Sequence, residues 1–124
     1  MIYELTQRFY FEAAHTLRRE VDTEPSKRIH GHTYIAKVTV SGSPNVESGM
    51  VIDLGLLRSK IQIVRDELDH RLLDEIAELG PPTLEGLCRY IWTRIALHGM
   101  PVTRVTVARD ATGDSCSLQA TKHT

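Results

Sequence analysis

Six histidines stand in a chain of 124 residues, and three of them are spaced to hold a metal ion. His30-Gly31-His32 places two imidazoles two residues apart. In extended chain such residues project to the same side, so both rings aim at one point, and Gly31 adds no bulk between them. His15 closes an earlier segment rich in aromatic and β-favouring residues, which should pair with the strand that carries the other two. Three neutral imidazoles suit Zn²⁺ and leave its fourth position open for water or substrate. For His-Gly-His by itself the alternative is a turn with exposed histidines.

Asp69-His70 is the second group with chemistry to offer. A carboxylate beside a histidine orients the imidazole and raises its basicity. The alternative is a helix C-terminus, where the dipole favours histidine. His98 reads as the end of a helix and His123 as a solvated tail residue. Cys88 lies on an apolar helical stripe and reads as core. Cys116, on an expected strand, has no assignable role.

The elements that must position these groups follow from the apolar periods. Tyr3 to Ala14 has no helical face and is read as a strand, and Arg18 to Arg28 is a polar loop. Thr33 to Ser41 is a β-branched run and a second strand. Asp53 caps a helix over about Leu54 to Asp69, with Leu54, Leu57, Ile61, Val64 and Leu68 at helical spacing. After Pro81-Pro82, Thr83 caps a second helix that Gly99 and Pro101 end, with Glu85 near its positive pole. Val102 to Ala108 and Asp114 to Thr121 supply two further strands. The order β-β-α-α-β-β predicts an α+β domain, a four-stranded antiparallel sheet with two helices on one face. Its unpaired edges and short length call for closure between subunits.

Composition excludes several classes of partner. Fifteen basic against 16 acidic residues give a net charge of −1, so neither a nucleic-acid patch nor a polybasic membrane surface is expected. No apolar run approaches membrane-spanning length, and Met1-Ile2-Tyr3-Glu4 does not follow a signal-peptide pattern. Two cysteines make no disulfide framework, so a cytoplasmic location is expected. A length of 124 residues, 41% hydrophobic and 25% charged, fits one globular domain over 1–124.

Five segments occur in a telling order: Phe11-Glu12-Ala13-Ala14-His15, His30-Gly31-His32-Thr33-Tyr34, Gly49-Met50-Val51-Ile52-Asp53, Leu68-Asp69-His70 and Pro82-Thr83-Leu84-Glu85. In these motifs, from the first strand to the third, the chain resembles the 6-pyruvoyltetrahydropterin synthase / 6-carboxytetrahydropterin synthase family. The resemblance implies the tunnelling fold, with trimeric barrels stacked as a homohexamer (a dimer of trimers). It implies zinc held by His15, His30 and His32, a small-molecule pterin-like substrate, and lyase chemistry in which Asp69 and His70 assist a catalytic base. It places the pterin ring against the Pro82 to Glu85 segment, with Thr83 and Glu85 as substrate contacts, and against a glutamate on the third strand.

Two positions depart from that pattern. The family's cysteine base falls at Ser26, whose hydroxyl is far harder to ionise than a thiol. Glu24, six residues before His30, is the other candidate base. The anchoring glutamate falls at Arg109, which has donors only and cannot accept hydrogen bonds from a pterin. Asp110 is one residue late, and a one-residue slip turns a side chain to the opposite face unless a bulge intervenes. The first reading is therefore a zinc-dependent lyase acting on a non-standard or modified substrate, with Arg109 meeting an acceptor-rich group such as a carboxylate or phosphate. The alternatives are a pterin enzyme converting dihydroneopterin triphosphate with a rearranged base, and a non-catalytic zinc-containing hexameric binding protein.

Overall fold

The computed structural model describes residues 1–16 and 28–121. Ser26 and Glu24, the two candidate bases, and His123 lie outside the described residues. Strands β1 (Tyr3–His15) and β2 (His30–Gly42) form a long antiparallel pair, in register from Tyr3 opposite Gly42 to His15 opposite His30. Helix α1 (Leu54–Leu68) follows, then the two-residue strand β3 (Arg71–Leu72) and two short 3-10 turns. Helix α2 (Leu84–Leu97) and the hairpin β4 (Val102–Arg109) and β5 (Asp114–Gln119) complete the chain. The spatial order is β3-β1-β2-β4-β5.

The sheet is not the four-stranded antiparallel one that the sequence predicts. The sheet has five strands and is mixed, because β3 pairs parallel to β1 through Ala13 opposite Arg71 and Ala14 opposite Leu72. Two residues carry no readable period of their own. They are extended because His70 turns the chain back along the edge of β1 with a left-handed φ of 59°.

Alternation along the strands divides the sheet into two unlike faces. Phe11, Ala13, Tyr34, Ala36, Val38, Val40, Val105 and Val107 are buried on the helical side. Leu57, Ile61, Val64 and Leu68 of α1 cover them together with Leu87, Cys88, Ile91 and Ile95 of α2. The opposite face carries hydroxyls that pair across the strands, such as Thr6 with Thr39 at 2.8 Å and Thr106 with Ser117 at 2.8 Å.

Both helices begin as their caps dictate. Asp53 accepts from the Gly55 amide and Thr83 from the Gly86 amide, each satisfying one of the free N–H groups of a first turn. At Gly86 a β-carbon would collide with the Pro81 carbonyl oxygen, so only glycine lets the chain pass so tightly from Pro81-Pro82 into α2. Glu67 joins the helices by accepting from the Tyr90 hydroxyl at 2.7 Å and from Arg94 at 2.6 and 3.0 Å.

Candidate metal centre and active site

The β1–β2 register brings the three histidines together. His15 lies directly opposite His30, and His32 lies opposite Ala13, so all three side chains project from the helical face at one end of the sheet. Their ligating nitrogens lie within 4.8 Å of one another. The Nε2 atoms of His15 and His32 are 3.1 Å apart. Two nitrogens at ordinary Zn–N distances in a tetrahedral shell are separated by roughly 3.3 Å.

Backbone carbonyls set the rings. The Nδ1 of His15 is 2.8 Å from the Pro82 carbonyl, and the Nδ1 of His30 is 2.8 Å from the Arg28 carbonyl. A carbonyl only accepts, so each Nδ1 carries the proton and each Nε2 keeps its lone pair free, as a metal ligand requires. Burial lowers the pKa of His15, opposed by the Pro82 bond, with His30 and Arg109 lowering it further. Burial, then His15 and Arg109, push His32 down to about 4. Both rings are therefore neutral at pH 7 and suited to a metal without first losing a proton. The donor set, its spacing and the tautomers that the carbonyls fix at His15 and His30 fit zinc.

Tyr34 stands one step further along the same face, fully buried, with its hydroxyl 3.4 Å from the Nδ1 of His15. Its place two residues after His32 was readable from the strand period. Thr16 closes this end of β1 by donating its amide and hydroxyl to Asp74 at 2.9 and 2.6 Å.

Arg109 shares this face with Val105 and Val107, in strand alternation. It pairs with Asp114 at 3.2 Å, and its side chain is only 17% exposed. Asp110 lies in the turn after β4 and is exposed, so Arg109 occupies the histidine face and Asp110 does not. Thr83 caps α2 and, with Glu85, lines a separate hollow of about 380 Å³ beside Leu118 of β5.

Asp69 and His70 are in contact but lie elsewhere. The Nδ1 of His70 is 2.8 Å from Asp69, whose other oxygen accepts from the Glu12 amide at 2.9 Å. The Glu12 amide and the His70 ring hold the Asp69 carboxyl below the usual range, while slight burial opposes them. The His70 ring reaches toward the Glu12 carboxylate at 3.9 Å, and Glu12 accepts from Thr33 on the face away from the helices. A cleft of about 500 Å³ at this edge is lined by Glu12, Gly31, His32, Thr33, His70 and Arg71, so it touches both His70 and one histidine of the cluster. The histidine cluster thus sits on the helical face and the Asp69–His70 pair at the sheet edge, with His32 and His70 lining a common cleft between them.

A family model for 6-pyruvoyl tetrahydropterin synthase matches residues 4–120. The chain belongs to that family. A relative in Synechocystis, 6-carboxy-5,6,7,8-tetrahydropterin synthase, is 32% identical over 98 residues, covering 75% of this chain and 74% of its own. A dihydroneopterin monophosphate aldolase of Pyrococcus furiosus is 35% identical over 85 residues, 68% of each chain. The structure of Caenorhabditis elegans 6-pyruvoyl tetrahydropterin synthase superposes with a TM-score of 0.83 at 26% identity, covering 98% of this chain and 97% of its own. The tunnelling fold is thereby shown. Among the described residues, no helix is long and apolar enough to cross a membrane.

Proposed function

We propose that this protein is a zinc-dependent carbon–oxygen lyase of pterin biosynthesis that acts on a pterin-like, non-standard or modified substrate. The observation that carries this reading is the convergence of His15, His30 and His32, with the Nδ1 protons of His15 and His30 committed to carbonyls. Bound there, zinc supplies Lewis acidity toward substrate hydroxyls. His70, oriented by Asp69, moves the proton. Thr83 and Glu85 contact the substrate, and Arg109 stands where the family places a pterin-anchoring carboxylate. Ser26 and Glu24 are the candidates for the base that the family's cysteine provides.

The assembly proposed is a cytoplasmic homohexamer of two stacked trimers. Two observations support it. The outer edge of β5 is unpaired among the described residues, and the Asp69–His70 pair stands at the opposite edge of the sheet, with His70 bonded to Asp69 and not to a histidine of the cluster. Association of chains would bring the Asp69–His70 pair of one to the histidines of another.

The test is turnover by zinc-loaded protein of a panel of 7,8-dihydropterin mono- and triphosphates, followed by phosphorus NMR. At least one should be converted, and His70→Asn should abolish the conversion while retaining zinc. Asparagine tolerates the left-handed backbone, so that variant removes the imidazole without straining the turn. No conversion of any member by fully loaded protein, or conversion indifferent to His70, would contradict the proposal.

A further inference from the structure

The β4–β5 hairpin supplies a carboxylate that sequence spacing alone does not reveal. Arg109 and Asp114 are direct cross-strand partners, so their side chains share a face, and that is the face of the histidines. Thr112 donates to Oδ2 of Asp114 at 2.8 Å, the same oxygen that takes the Arg109 bond. Oδ1 of Asp114 is left free on a half-exposed side chain, whereas the Nε of Arg109 is buried without a partner among the described residues. Strand register sets Tyr34 of β2 beside Arg109, and its hydroxyl is 3.4 Å from the Nδ1 of His15. The hairpin end thus lies on the histidine side of the sheet, with Arg109 largely covered and Asp114 half exposed at the rim.

The charges of this pair cancel. An isolated anion arriving at Arg109 meets the Asp114 carboxylate already bonded to the same guanidinium, and like-charge repulsion opposes it. A group that presents N–H donors beside a carbonyl acceptor satisfies both partners at once, the donors going to Oδ1 of Asp114 and the carbonyl to the guanidinium. We infer that the Arg109–Asp114 pair is a specificity determinant that anchors a neutral amide- or amidine-type heterocyclic edge of the substrate, and that Asp114 is the residue that accepts from it. The inference rests on the metal-site reading above, and it sets aside the free carboxylate or phosphate that an arginine alone would suggest at this position.

Two fluorescent or calorimetric titrations of zinc-loaded protein separate the possibilities. Neopterin and glycerol 3-phosphate both carry vicinal hydroxyls, but the first adds a neutral donor–acceptor edge and the second an isolated dianion. Wild type should bind neopterin at least tenfold more tightly than glycerol 3-phosphate. Asp114→Asn keeps the side-chain shape and the bond from Thr112, and should weaken neopterin at least tenfold without loss of zinc. Arg109→Gln, which leaves Asp114 in place, should weaken it as well. Tighter binding of glycerol 3-phosphate, unchanged neopterin affinity in Asp114→Asn, or no neopterin binding by wild type with full zinc would overturn the inference while leaving the metal assignment standing. Protein that takes up no zinc would bring down the metal-site reading and this inference with it.

Discussion

The ring of His15 is oriented by the carbonyl of Pro82, 2.8 Å from its Nδ1, although the two residues are 67 positions apart. That carbonyl precedes the cap of α2, so the start of a helix and the geometry of the histidine cluster are one mechanical unit. Thr83→Ala should cost about 1 kcal/mol of stability through loss of the cap. It should also weaken zinc binding, because the Pro82 carbonyl loses its fixed position. Thr83→Ser should restore both. Thermal melts together with competitive zinc titration check this, and a loss of stability with unaltered zinc affinity would uncouple the two.

Acidity should destabilise the metal-free protein in a defined window. In an unfolded chain His15 and His32 take up protons near pH 6.5. In the fold, burial holds His15 below that value and His32 near 4. The unfolded state thus binds protons first, and the stability these residues contribute is complete above about pH 6.5 and is lost as pH falls toward 4. Metal-free protein should melt lower at pH 5 than at pH 7.5. His32→Gln should flatten that dependence, and an unchanged slope would contradict the assignment.

Asp69 contributes orientation to His70 and a bond to the β1 amide of Glu12. Asp69→Asn keeps a side-chain oxygen for the amide but removes the charge that steadies the imidazolium. Turnover should fall by about 10²-fold or more, with zinc content and melting temperature little changed. Loss of fold in place of loss of rate would show that the pair is structural.

The long strands, the two helices and both caps were legible because period and capping chemistry are local properties of the chain. The three histidines were legible for the same reason, since alternation puts His30 and His32 on one face and an antiparallel partner brings His15 beside them. What escaped is non-local. The parallel edge strand Arg71–Leu72 exists because of the turn at His70, and the Pro82 and Arg28 carbonyls act through tertiary position. Asp114 was hidden because its partnership with Arg109 depends on hairpin register, which places it opposite position 109 while Asp110 turns away.

The assembly should be a homohexamer. Light scattering at micromolar concentration should give about six times the 14.0 kDa chain mass. A monomer would contradict a site completed between chains.

The metal assignment is tested most directly by elemental analysis of purified protein beside a His30→Ala/His32→Ala variant. The wild type should carry about one zinc per chain and the variant almost none, with both retaining their helical circular dichroism. Equal zinc in the two proteins would contradict the assignment of His15, His30 and His32 as the metal centre.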